Sequence, residues 1–195
     1  MVVEKNPLGN ETRRKILRIL VGNGRASLVE IARQLGISHV AVNKHIRQLV
    51  DKSIIRIQAN VNPKKLRLYL VLALLEVDEE TLKEVTSRFE ECPRTIFMAT
   101  MAGGYNVVAL MIAENEGVLK CISTVCAIRI LRGIRRSEVY IIADLIKPEY
   151  LPIKLPFPRN RDKPPCGREC SVCKMYVVEK KCPGCPATKH YRGLL

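Results

Sequence analysis

The chain has 195 residues, of which 47% are hydrophobic and 27% charged, a globular composition that excludes a disordered or low-complexity chain. No run approaches 18 uninterrupted apolar residues, and the first residues lack the basic-then-apolar pattern of a signal peptide, so a cytoplasmic protein without a membrane span is expected. The net charge of +14 is uneven: residues 1–62 carry 11 basic and 4 acidic side chains, 63–153 carry 12 of each, and 154–195 carry 10 and 3, which assigns contact with a polyanion to the two ends.

In the head, residues 1–62, Asn10 is placed to cap a first helix whose apolar side is Ile16, Leu17, Ile19, Leu20 and Val21. Ser27 caps a second helix over Leu28–Leu35, Gly36 supplies a residue free to take positive φ, and Ser38 caps a third helix with Val42, Ile46 and Leu49 at helical spacing. Two short helices joined by a glycine-containing turn predict a helix-turn-helix at roughly residues 11–52, with Ala32 small where the helices must approach. Its second helix would enter the major groove of double-stranded DNA and present Ser38, His39, Val40, Ala41, Asn43, Lys44 and Arg47. Asn43 suits adenine, Arg47 guanine or phosphate, and Val40 or Ala41 a thymine methyl. Arg13, Arg14 and Arg25 are candidates for phosphate. Residues 53–61 read as a strand or wing, and Asn62-Pro63 breaks the chain.

In the middle, residues 63–147, an apolar run over 66–77 predicts a buried strand. Asp78 is placed to cap a helix to about Glu91, and strands follow over 95–101 and 106–113. A second helix over 117–131 and a fourth strand over 135–146 complete the domain. The expected class is α+β, with a ferredoxin-like β-α-β-β-α-β domain after the helix-turn-helix. The stretch Val107-Val108-Ala109-Leu110-Met111-Ile112 is mostly apolar on both faces, which favours burial on both sides, and the open face of the sheet would be covered by a homodimer packed sheet on sheet.

This order resembles the leucine-responsive regulatory protein and AsnC family of feast/famine regulators. The likeness covers roughly residues 10–147. It rests on Arg14-Lys15-Ile16-Leu17-Arg18-Ile19-Leu20, Asn23-Gly24-Arg25-Ala26-Ser27, and Ile31-Ala32-Arg33-Gln34-Leu35-Gly36-Ile37-Ser38, continued by Val42, Ile46, Leu49 and Ile55. Gly104-Tyr105-Asn106 resembles the family's Gly-x-Tyr-Asp turn. The resemblance implies a transcription regulator that forms homodimers or higher homo-oligomers and takes a small-molecule effector, commonly an amino acid, at Gly103, Gly104, Tyr105 and Asn106. Asn106 departs from the family's acidic residue, which would deprive an amine of a charged partner. Ser53 stands where a glycine usually precedes the wing.

The stretch 148–165 holds six prolines with basic residues between them and reads as a stiff linker. The tail, 166–195, then holds Cys166, Cys170, Cys173, Cys182 and Cys185. Cys170/Cys173 and Cys182/Cys185 are C-x2-C pairs eight residues apart, the spacing of a four-thiolate cage with Zn–S bonds of about 2.3 Å. A tail of roughly 30 residues is too short for a core of its own, and a metal would staple it. Zinc is the expected ion. Cys166, Cys170 and Cys173 also match the spacing that holds a [4Fe–4S] cluster, and Cys166 or His190 could replace one zinc ligand. Cys92, Cys121 and Cys126 in the middle read as buried small hydrophobes. The expected function is a sequence-specific, DNA-binding transcription regulator and not an enzyme, responsive to an amino acid, a metal or redox state. The alternatives are an iron–sulfur enzyme, for which the chain shows neither a nucleophile–base constellation nor a phosphate-binding glycine loop, and a metal-stapled protein-interaction module.

Overall fold

Side-chain oxygens start the helices of the head. In the computed structural model, which describes residues 8–155 and 157–193, Asn10 Oδ1 accepts from the Arg13 amide at 3.0 Å and opens α1, Glu11–Gly22. Ser27 Oγ accepts from the Glu30 amide while the Glu30 carboxylate accepts from the Ser27 amide at 2.7 Å, a capping box that opens α2, Leu28–Leu35. Gly36 ends α2 with φ 65°, a left-handed conformation that suits glycine. Ser38 Oγ accepts from the Ala41 amide at 3.1 Å and opens α3, His39–Asp51. Ile16, Ile31, Ala32 and Val42 close a small core, with Ile46 packed on it and Leu49 also fully buried. Each Ile, Leu or Val side chain so buried contributes about 1.5–3 kcal/mol.

The expected wing is not a strand. Ser53 takes a positive φ of 54°, the amides of Ile54 and Ile55 both turn back to the Leu49 carbonyl, and residues 55–60 join no sheet. Alternating side chains do not make a strand where no partner backbone lies alongside. The chain divides after Ala59 into two units, Met1–Ala59 and Asn60–Leu195.

The second unit is built on β1 (Tyr69–Val77), α4 (Glu79–Glu90), β2 (Thr95–Thr100), β3 (Val107–Ala113), α5 (Glu116–Thr124), α6 (Ala127–Ile130) and β4 (Ile134–Ile142). The sheet is antiparallel in the order β2-β3-β1-β4, the expected split β-α-β-β-α-β arrangement. Asp78 caps α4 through the Thr81 amide. The expected single second helix is broken: Cys126 is extended, at φ −63° and ψ 154°, and α6 starts anew after it. On one face of the sheet, Val71, Ala73, Leu75, Val107, Ala109 and Met111 pack under the helices.

The proline-rich stretch is not a spacer. Leu151, Ile153 and Phe157 are buried against Leu70 and Ile112 at one end of the opposite sheet face. Val61 and Leu151 exchange two amide–carbonyl bonds of 2.9 Å. The exposed Pro152, Lys154 and Pro158 alternate with the buried Leu151, Ile153 and Phe157, and the fixed φ of the prolines stiffens the strap.

The tail forms a 3-10 turn at Cys170–Val172 and α7, Lys174–Val177. It is part of the second unit, and Gly117 shows how closely it docks: a Cβ there would fall 2.0 Å from the Lys181 carbonyl oxygen.

Candidate DNA-binding surface and cysteine centre

The head folds so that α3 offers a polar side. With Val42 and Leu49 buried, His39, Val40, Lys44 and Arg47 are exposed, and Ala41 and Asn43 are half-buried between the two sides. Ser38 is exposed, but its hydroxyl is occupied in capping the helix. Arg14 and Arg25 are exposed as expected of phosphate ligands. Arg13 differs: its guanidinium donates to Gln48 Oε1 at 2.6 Å and ties α1 to α3. The sequence could not announce this pairing, because Gln48 lies 35 residues away.

The turn at Gly103–Asn106 joins β2 to β3. Asn106 is committed to the backbone: its Oδ1 accepts from the Val77 amide at 2.8 Å and its Nδ2 donates to the Val77 carbonyl at 2.6 Å. A carboxylate could accept but not donate, so the asparagine here completes the end of β1 and its amide is not free for an effector's amine. Tyr105 is held apart from it: its hydroxyl accepts from Arg136 Nε at 2.6 Å, and the guanidinium lies 4.4 Å from the ring centroid. Gly103 and Gly104 are exposed. Replacement of Asn106 by Asp is expected to destabilise the second unit by about 1–3 kcal/mol, since it sets an anion against the Val77 carbonyl; urea unfolding read by circular dichroism measures it, and an unchanged midpoint would refute the bridging role.

Seven of the cysteines are gathered against one core. Cys173 and Cys182 are part of it, and Cys92, Cys121, Cys126, Cys166 and Cys170 pack on it. Burial pushes Cys126 up to about 12, with Cys92 adding to the shift. Burial likewise pushes Cys185 up to about 12, against the opposing pull of the Ala187 amide. Burial also raises Cys166 and Cys170. Cys182 moves the other way, to about 6, because Cys121 hydrogen-bonds toward it and the Gly184 amide favours its thiolate; the same interaction holds Cys121 protonated. His190 is exposed.

The donors are soft, buried and supported by backbone amides, which suits a thiophilic metal. They do not yet converge: among the described residues no three Cys, His, Asp or Glu side chains are grouped to hold one ion as they stand. The C-x2-C pairs also do not face only each other, since Cys182 is hydrogen-bonded with Cys121 of α5.

A buried ion pair, not foreseen from the sequence, fastens the tail. Arg94 Nε donates to Glu114 Oε2 at 3.0 Å, and its second nitrogen bridges Glu114 Oε1 and the Gly184 carbonyl, the latter at 2.8 Å. Tyr191 donates to Glu114 Oε1 at 2.9 Å. Burial alone would favour a neutral guanidinium, but the charge of Glu114 and the hydrogen bonds to it outweigh that and hold Arg94 protonated. Arg88 adds a bond to the Cys166 carbonyl at 3.2 Å, and Arg161 one to Glu91 at 2.9 Å.

Residues 9–56 match the family model described as winged helix-turn-helix DNA-binding. The chain is 35% identical over 103 residues to the HTH-type transcriptional regulator Ptr1 of Methanocaldococcus jannaschii, spanning 52% of this chain and 70% of that protein. It is 34% identical over 103 residues to the HTH-type transcriptional regulator LrpA of Pyrococcus horikoshii, spanning 51% and 72%. Its fold is similar to that of E. coli AsnC, with a TM-score of 0.61 at 18% identity over 70% of this chain and 93% of that one. Roughly three-tenths of the present chain therefore has no counterpart in that structure. The relatives are transcription regulators, not enzymes. Among the described residues no helix is long and apolar enough to cross a membrane. With its helix-turn-helix, its β2-β3-β1-β4 sheet and these relatives, the chain belongs to the Lrp/AsnC family of DNA-binding transcriptional regulators.

Proposed function

We propose that this regulator binds specific duplex sequences as a homodimer or higher homo-oligomer, and that a metal held by the tail cysteines sets its affinity for them. The observation that carries the DNA-reading part is the polar side of α3, where Asn43, Lys44 and Arg47 lie opposite the buried Val42 and Leu49. Arg47 and Asn43 read base edges, and Arg14 and Arg25 hold phosphates.

Support for dimerisation comes from the sheet face opposite the helices. Leu72 pairs in register with Leu110 and Tyr140, and Leu110 with Phe97, while Phe97 and Tyr140 remain 52% and 50% exposed. The strap covers only one end of this face. A second copy laid on the remainder would remove that apolar area from water.

Cys170, Cys173, Cys182 and Cys185, with Cys166 beside them, support the metal reading by their type, burial and flanking amides. Zinc, when bound, supplies a four-coordinate staple and no redox chemistry; an iron–sulfur cluster would add sensitivity to oxidants. The residues themselves supply thiolates and, through Arg94, a fixed positive charge near Cys185.

Selection of duplexes from a random pool tests the first part. Enrichment of a sequence with two-fold symmetry and half-sites about 34–36 Å apart is expected, and a pool that does not enrich would overturn it. For the input, protein stripped with a zinc chelator under reducing conditions is expected to bind the selected duplex at least tenfold differently from the zinc-loaded protein. Equal affinities would remove the metal as the input and leave DNA reading intact.

A further inference from the structure

Where the sheet domain meets the tail, two cavities of about 420 and 550 Å³ adjoin, with Glu114, Asn115 and Lys181 common to their walls. The sheet domain contributes Arg67, from the turn before β1, and the tail contributes Lys180, Lys181 and Arg192. All four cations are exposed, and among the described residues Arg67, Lys180 and Arg192 have no ion pair. Lys181 has Glu179 at 3.8 Å, and the Arg192 guanidinium lies 4.3 Å from the Tyr176 ring centroid. Glu114 is already committed to Arg94 and Tyr191, so Glu116 in the wall and Glu179 outside it remain to offset four positive charges. Cations gathered at one groove repel one another, and an anion that enters relieves the repulsion.

Two of these cations sit on backbone that glycine would suit better. Arg67 and Lys180 take positive φ of 53° and 52°. A side chain in that conformation is strained, and such strain clusters where ligands are held. Neither residue is buried, so core packing does not account for it. Leu66, Leu68 and Pro183 give the groove an apolar wall. Cations beside an apolar wall suit an organic molecule with an anionic group, and both volumes fall in the range of small-molecule sites. A phosphate monoester, with a charge of about −1.5 to −2 and three acceptor oxygens, matches several cationic donors better than a single carboxylate does. A continuous polyanion fits less well, because Glu116 and Glu179 stand among the cations.

We infer that this groove binds a small phosphorylated organic molecule, its phosphate on Arg67, Lys180, Lys181 and Arg192 and its body on Leu66, Leu68 and Pro183. Such a site requires neither the metal nor the DNA reading proposed above. Because its walls come from both sheet domain and tail, an occupant holds the two together.

The test titrates the full chain, under reducing conditions, with ribose 5-phosphate, adenosine monophosphate and phosphoenolpyruvate, and with ribose and inorganic phosphate as controls. Calorimetry is expected to show at least one of the three esters binding, more tightly than either control, and slowing proteolysis within 166–193. Arg67→Gly, Lys180→Gly and Lys181→Ala are each expected to weaken that binding by about tenfold or more. The two glycine variants should not lower the urea midpoint, since they relieve strain. Lys189→Ala removes an equal charge from a residue paired with Asp162 at 3.0 Å and should bind as the parent does. An equal loss in Lys189→Ala would reduce the effect to general charge attraction and overturn the site. So would failure of all three esters to bind at millimolar concentration. Inorganic phosphate binding as tightly as the esters would overturn the organic class. Should the esters fail while Arg67→Gly weakens binding to a random-sequence duplex, the groove holds DNA phosphate and the small-molecule assignment falls.

Discussion

Arg47→Ala is expected to weaken binding to the selected duplex by about 1–3 kcal/mol, or roughly 5- to 150-fold, with much less effect on an unrelated duplex. Arg47 is exposed on α3, and its planar fork is the side chain best suited to the O6 and N7 acceptors of guanine. Asn43→Ala should behave alike and relax the preference for adenine at one position of each half-site. Arg14→Ala is the contrasting variant: a phosphate ligand carries no sequence information, so its loss should lower affinity for both duplexes alike and reduce the salt slope by about 0.9 per contact. Fluorescence anisotropy across a salt series separates these behaviours. An Arg47→Ala protein that loses affinity equally on both duplexes reads phosphate and not base, and the assignment of α3 to base edges would fall.

Glu114→Ala is expected to cost about 3–5 kcal/mol, the penalty of leaving a buried charge without its partner. The side chains of Arg94 and Glu114 are 10% and 9% exposed, so water cannot replace the lost carboxylate. Domain stabilities are typically about 5–15 kcal/mol, so this one change removes a large share. Because Arg94 also holds the Gly184 carbonyl and Glu114 the Tyr191 hydroxyl, the tail should loosen first. Urea unfolding gives the global loss, and limited proteolysis shows whether cleavage begins within 166–193. Lys64→Ala is the control: its ion pair with Asp144 is 81% and 64% exposed, and such pairs contribute about 0–1 kcal/mol. Equal effects in the two variants would show that the Arg94 pair does not hold the tail.

What could be read ahead was what neighbouring residues decide. Ser27, Gly36, Ser38 and Asp78 mark helix ends through bonds to amides three residues on or through a single φ, and each did so at its expected place. Strand order followed because apolar runs of the right length alternate with two helical segments. What escaped was set by distant partners. Arg13 meets Gln48, Arg94 meets Glu114 and Gly184, and Cys121 meets Cys182, and nothing near any of these in sequence names the other. The strand expected over 53–61 failed because alternation is a property of one segment, whereas a strand needs two. The proline-rich stretch misled in the opposite sense: its prolines suggested a spacer, and Leu151, Ile153 and Phe157 between them turned it into a cover.

The clasp between Val61 and Leu151 fixes where the second unit begins. It ties residue 61, two positions past the end of the first unit, to the strap that runs on to the tail. Along the covalent chain these points are 90 residues apart, yet two hydrogen bonds make them neighbours. Residue 61 is therefore anchored to the strap on the second unit's side of the boundary, and a change that frees the strap would first show as loss of this pair of bonds.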